Sequence, residues 1–251
     1  MFVDTFMFYN ELETLELRLT VLDQFVDLFV LVESELNHRG GPKELFFEKN
    51  KERFSKWIPK LKHVIIKAEE SPTDTDPWSR EKHQRECILR GLDDVPDDAI
   101  VMVSDVDEIP DLSKIPKKLP QPVCALHMWM FEYSLKYLFV NEAWVGTVMT
   151  TCKLFKHFGP NNIRSQRWKY VAFNHAGWHL SSFGGPERVA LKLNTYAHSK
   201  DSHELSWTPE TFERLIDSGV HTDGKTMLVI RPPEVPLPAS PDVLSRLGFV
   251  I

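Results

Sequence analysis

The chain has 251 residues, of which 42% are hydrophobic and 26% charged, and a formal charge of −6. Those fractions describe an ordinary globular protein with a full core, and the length suits one α/β domain or at most two small ones. The acidic balance argues against a nucleic-acid surface, and no uninterrupted apolar span reaches the roughly 20 residues of a membrane helix.

Phe2 to Phe8 predicts a first strand. Asn10 is placed to cap a helix, with Glu13 in capping-box position, and Leu12, Leu15, Leu19 and Leu22 recur at helical spacing. Phe25 to Glu33 predicts a second strand, and the polar Ser34 to Pro42 a turn. A charged helical piece at Lys49 to Lys56 leads to a third strand at His63 to Lys67. Ser79 to Arg90 predicts a helix ended by Gly91, a residue type expected just past a C-cap. This β-α-β-loop-β-α order implies a largely parallel sheet flanked by helices.

The next segment, Ala99 to Pro110, is the most informative. An apolar run, Ala99 to Val103, stops at Asp105, Asp107 and Glu108. Such a run predicts a strand buried on both faces. Residues two apart on a strand share a face, so Asp105 and Asp107 can present their carboxylates together at its carboxyl end. In open α/β sheets that end is where ligands sit. Two hard oxygen donors suit Mg²⁺ or Mn²⁺, which complete their shells with water and phosphates. The same acids also fit a plain turn closed by Pro110, because Asp favours turns. Arg85, on the helix before this strand, and Glu33, at the end of the second strand, are further candidates for donor contact.

After Pro122 the texture changes. Shorter strands are expected at Val123 to Trp129, Leu135 to Val140 and Thr147 to Phe155, and helices at Pro186 to Leu193 and Pro209 to Ser218. The stretch Arg231 to Pro241 holds five of the 17 prolines and predicts an extended arm. Asn174 to Glu187 packs His175, Trp178, His179 and three glycines ahead of a helix. Glycine lets backbone approach a ligand, and Trp178 could offer a flat face to a sugar. A Gly-bearing turn with a core Trp fits as well. The Gly177 between the two histidines disfavours a helical zinc pair. Cys87, Cys124 and Cys152 are too few and too scattered for a disulfide framework. With no secretory signal ahead of the first strand, a cytoplasmic location is expected.

In order, Phe6 to Leu19, Phe29 to Ser34, Gln84-Arg85, Ser104 to Pro110, Gly177 to Ser181 and Ala197-His198 resemble the motifs of glycosyltransferase family 17. Its animal members are β-1,4-mannosyl-glycoprotein 4-β-N-acetylglucosaminyltransferases. The likeness spans about residues 2 to 200. It implies a GT-A type fold, a UDP-GlcNAc donor, a glycan acceptor, and inversion at the anomeric carbon. It also implies a Mn²⁺-like ion on Asp105 and Asp107, with His198 as a further ligand. On that basis residues 1–122 form the nucleotide-sugar half, 123–228 the acceptor half and 229–251 the proline-rich arm of one domain. The animal enzymes differ in carrying an N-terminal membrane anchor and more cysteines near the Gly-Trp-His segment, where this chain has Leu180.

Inversion needs a base opposite the leaving diphosphate. Glu187, after the glycine turn, and Glu132, in the aromatic-rich stretch, are the candidates. Trp129, Trp178 and His179 are candidates for acceptor contact. A metal-dependent nucleotidyltransferase and a non-catalytic nucleotide-sugar or glycan binder remain open as alternatives.

Overall fold

The computed structural model describes residues 1–195 and 207–251. Strand β1 (Phe2–Met7) is followed by helix α1 (Leu12–Leu22), strand β2 (Leu28–Ser34), a short helix α2 (Phe46–Lys49), strand β3 (Leu61–Ile66), helix α3 (Pro77–Glu86) and strand β4 (Ile100–Asp105). The second half carries β5 (Glu108–Pro110), β6 (Val123–Glu132), β7 (Tyr137–Leu138) and β8 (Trp144–Thr151). After these come α4 (Cys152–Phe158), α5 (Pro160–Ser165), β9 (Val171–Phe173), β10 (Gly177–Ser181) and α6 (Pro186–Thr195). The chain closes with α7 (Pro209–Ser218), β11 (Val229–Ile230) and α8 (Pro241–Arg246).

The main sheet runs β11-β7-β6-β8-β4-β1-β2-β3. Strands β3, β2, β1 and β4 are mutually parallel, but β8 joins β4 antiparallel and β6 joins β8 antiparallel. The sheet is therefore mixed, which corrects the expectation of a mostly parallel one. The reason lies in the connections. Strands β1 to β4 are linked through helices or long crossovers, whereas β6 and β8 follow one another without a helix between them and pair as antiparallel neighbours do.

Alternation on the inner strands fills two cores, one on each face of the sheet. Phe29 and Leu31 point with Phe6, Leu15, Leu19 and Met102 into one, while Val30 and Val32 point with Val3, Ile88, Val101 and Val103 into the other. Each such side chain contributes roughly 1.5–3 kcal/mol on burial.

Three local expectations change. Helix α1 is capped at Glu11 with no side-chain cap bond, so the box from Asn10 to Glu13 does not form. The segment expected to be strand through Phe155 turns into α4 at Cys152, with Thr151 accepting from the Leu154 amide. Gly91 is not needed for a left-handed cap. A Cβ there would lie 2.3 Å from the Val30 side chain, so the glycine serves close packing on β2. The three cysteines are buried and free. Among the described residues, no helix is long and apolar enough to cross a membrane.

Candidate active site

The strand order places β2 and β4 on opposite sides of β1, so the chain reverses direction across the sheet between β1 and β4. At such a point the carboxyl ends of the strands leave a crevice. The cleft here is lined by Phe8 and Tyr9 after β1, Asn37 and His38 after β2, and Asp105 and Asp107 after β4. Lys43, Gln84, Trp144, His179, Ser181 and Lys192 complete its walls.

Asp105 and Asp107 do face this cleft, and a buried arginine fixes the turn that carries them. Arg18 of α1 is fully buried and forms a two-pronged ion pair with Asp4 at 2.6 and 2.8 Å. Its Nη1 also donates to the carbonyls of Asp105, Val106 and Glu108 at 3.1, 3.2 and 2.6 Å. The Glu108 carboxylate adds a second anchor. It accepts from the Asp105 amide at 3.1 Å, the Trp144 indole at 2.8 Å and Arg164 at 2.5 Å.

The two aspartates sit among cations. Asp105 Oδ2 is 3.1 Å from Arg164, and its Oδ1 is 3.5 Å from Arg85. Burial alone would raise its pKa, but Arg164 and Arg85 outweigh that and hold the carboxyl well below the usual carboxylate range. Asp107 pairs with Lys192 at 2.8 Å and lies 3.7 Å from His179 Nε2. There too the cations outweigh burial and lower the pKa. Lys43, buried beside Glu33 and 5.0 Å from the Tyr9 ring centroid, is lowered to about 8 by desolvation.

Glu132, at the end of β6, pairs in register with Ser181 of β10. It is fully buried, and both carboxylate oxygens lack a hydrogen-bond partner. Burial pushes its pKa up, with the His221 charge opposing only in part. The residues directly after this pair, Tyr133 and Ser182, are both left-handed, at φ 64° and 57°. Such conformations in non-glycine residues cost of order 1–3 kcal/mol and concentrate at functional sites.

The other candidates are placed as follows. Arg85 reaches the site, and His179 lines the cleft while stacking on Trp144 at 4.4 Å. Glu33 does not reach it. Its oxygens accept from the Phe47 and Glu48 amides at the start of α2 and contact His63 at 3.1 Å, which leaves nothing for a donor. Trp178 is a core residue whose indole donates to the Pro236 carbonyl at 2.7 Å, so it offers no sugar platform. Trp129 stacks face to face on His175 at 3.9 Å, away from the cleft walls. Glu187 is exposed on the first turn of α6 and is also absent from those walls. His198 lies outside the described residues. Among the described residues, no group of three or more His, Cys, Asp or Glu is arranged to hold a metal ion.

Sequence reasoning missed Arg18, Arg164 and Lys192, and it marked Glu108 as one of the acids at the strand tip without giving it the anchoring role it has. Arg18 sat in plain view as a charge among the buried leucines of α1, a pattern that signals a paired interior cation. Arg164 and Lys192 carried no comparable signal.

The family model for glycosyltransferase family 17 matches residues 1–222. The chain belongs to that family. No curated protein matches it. Among solved structures, the family 17 chain is similar to galactosyltransferase LgtC in complex with donor and acceptor sugar analogs. That match has 8% identity and a TM-score of 0.37, over 67% of this chain and 64% of that one. An active-site mutant of LgtC matches at 7% identity and a TM-score of 0.38, over 93% and 98%. The catalytic domain of a Drosophila β1,4-galactosyltransferase 7 with xylobiose matches at 11% and 0.34, over 70% and 66%. The chain thus spans just under two thirds of the first and third of these.

Proposed function

We propose that this chain is a metal-dependent, inverting glycosyltransferase of GT-A type that moves N-acetylglucosamine from UDP-GlcNAc to a glycan hydroxyl. One observation carries the reading. Two aspartates of low pKa face a crevice at the carboxyl ends of β1, β2 and β4, with their backbone pinned by Arg18 and Glu108. The choice of sugar rests on the family resemblance alone.

The donor set suits Mn²⁺ or Mg²⁺ in kind. Asp105 and Asp107 supply hard oxygens, and His179 turns its Nε2 to within 3.7 Å of Asp107. When bound, the ion would offset the charge that builds on the departing diphosphate. Lys192 and Arg85 stand beside the same carboxylates and can bind phosphate oxygens. Tyr9 and Lys43 also line the cleft and are assigned to the base and ribose.

In the transfer, the acceptor oxygen bonds to the anomeric carbon as the bond from that carbon to the phosphate oxygen breaks, releasing UDP. The acceptor proton passes to the carboxylate of Glu132, whose register partner Ser181 lines the cleft. A buried carboxylate with a raised pKa suits a base working near neutral pH. Glu187 is not chosen because it does not face the cleft.

The test is a thermal-shift and turnover series with UDP and UDP-GlcNAc, each with and without Mn²⁺. A ligand that binds only the native state raises the melting temperature. Metal-dependent stabilisation together with slow hydrolysis of UDP-GlcNAc supports the reading. Stabilisation without any hydrolysis makes the chain a binder, and no response to any nucleotide removes the donor site.

A further inference from the structure

Beside the cleft lies a group that none of the chemistry above uses. Arg167, in the single turn Arg167–Lys169 after α5, holds its guanidinium carbon 5.5 Å from the Trp144 ring centroid and 5.1 Å from that of Trp168. The two indoles meet edge to face, with centroids 6.4 Å apart. Trp144 is a cleft residue, stacked on His179 and hydrogen-bonded to Glu108. Trp168 is 55% exposed. The pair therefore runs from the wall of the cleft to the protein surface.

Among the described residues, the charge of Arg167 has no ion-pair partner, and its buried Nε has no hydrogen-bond partner. The nearest acids, Asp105 and Glu108, are already held by Arg164 at 3.1 and 2.5 Å. Arg85, the other arginine in the cluster, is engaged by Glu81 at 2.8 Å. Indole faces attract and orient a guanidinium but leave its donors unused. A planar fork of donors matches carboxylate and phosphate geometry, and an exposed indole matches the apolar face of a sugar ring.

We infer that Arg167 and Trp168 form an acceptor subsite for an anionic sugar, one bearing a carboxylate or a phosphate, alongside the donor cleft. Trp168 stacks on the ring and Arg167 pairs with the anion. The inference rests on the transferase reading for its place in the reaction, but the binding itself is measurable without a donor.

The experiment is a tryptophan-fluorescence titration of the whole chain with glucuronate, mannose 6-phosphate, neutral mannose and inorganic phosphate, repeated in the presence of UDP with Mn²⁺. A saturable change is expected at about tenfold lower concentration for at least one charged sugar than for mannose. Glucuronate against mannose 6-phosphate decides which anion is preferred. Arg167→Gln should erase the charged-over-neutral preference, and Trp168→Ala should erase the response to the sugars. A cooperative melt checks that each variant is folded. Equal response to charged and neutral sugars overturns the inference. So does inorganic phosphate binding as tightly as mannose 6-phosphate, since no sugar is then being read. Competition by UDP also overturns it, because Arg167 would then belong to the donor diphosphate. A chain that prefers charged sugars yet ignores UDP keeps this subsite and loses the donor reading instead.

Discussion

The ammonium of Lys192 lies 2.8 Å from Oδ2 of Asp107. That contact puts a cation on an oxygen that a divalent ion would need. Burial would lower the pKa of Lys192, but Asp107 and Glu11 outweigh it and raise it, so the ammonium keeps its charge throughout the physiological range. Lys192 and the proposed metal would therefore compete for Asp107. In Lys192→Gln, Mn²⁺ alone should raise the melting temperature more than it does in the wild-type chain, and half-maximal stabilisation should come at lower Mn²⁺. Identical Mn²⁺ titrations would show that the two do not share the oxygen.

Glu132→Gln should lower transfer by about 10² to 10⁴, the span typical of a lost general base, while UDP-induced stabilisation persists. The same variant carries a stability signature. Burial raises the native carboxyl above its unfolded value, so across the window between the two the native chain holds a proton that the unfolded chain has lost. Wild-type stability falls as pH rises through that window, and the glutamine removes the slope. Urea melts of both proteins from pH 4 to 8 check this. Parallel pH profiles would count against a Glu132 carboxyl raised by burial.

Lys43 predicts a pH dependence of the opposite kind. Desolvation sets its native pKa at about 8 against 10.5 for the free side chain. Between those values the unfolded chain binds the extra proton, so this residue contributes stability that grows as pH rises from about 8 toward 10.5. Nucleotide binding moves the other way. Above pH 8 the cleft loses a positive charge, and UDP affinity should fall by up to about tenfold per pH unit, the limit for one linked proton. Lys43→Arg should flatten the profile in an isothermal titration series, because guanidinium does not titrate there.

Arg18→Met should destabilise the fold by roughly 3–5 kcal/mol, the usual cost of stranding one member of a buried ion pair. Replacing Asp4 by Leu in the same chain should recover much of the loss, since no buried charge is then left alone. It should not recover donor binding, because the carbonyls of Asp105, Val106 and Glu108 still lack their common donor. Denaturant melts and UDP thermal shifts on the single and double variants separate the two roles.

The sequence exposed what local chemistry determines. A valine-rich run ending in Asp-x-Asp marks a buried strand with acids at its tip, and Asp105 and Asp107 stand there. Helix α7 spans Pro209–Ser218, the range expected for it. What long-range pairing determines was hidden. Gly177–Ser181 looked like a turn, yet it is a strand pressed between β5 and β6, so Trp178 turns into the core and His179 into the cleft. Glu33 looked like an open strand end, but a helix that begins thirteen residues later folds back to place its amides on it. Arg164 and Lys192 resemble any helix cation until their helices dock against the acidic turn.

Strand β4 has a parallel neighbour on one edge and an antiparallel neighbour on the other. The acidic turn therefore stands at a joint between two separately connected pieces of chain. Descent can act on them at different rates. If the proposed function holds, one lineage could rebuild the antiparallel side and so exchange its acceptor, while the parallel side that would hold the nucleotide stays as inherited. Variation among relatives should accordingly gather beyond the joint, in the strands and helices that follow β5, with the turn itself as the hinge of that divergence.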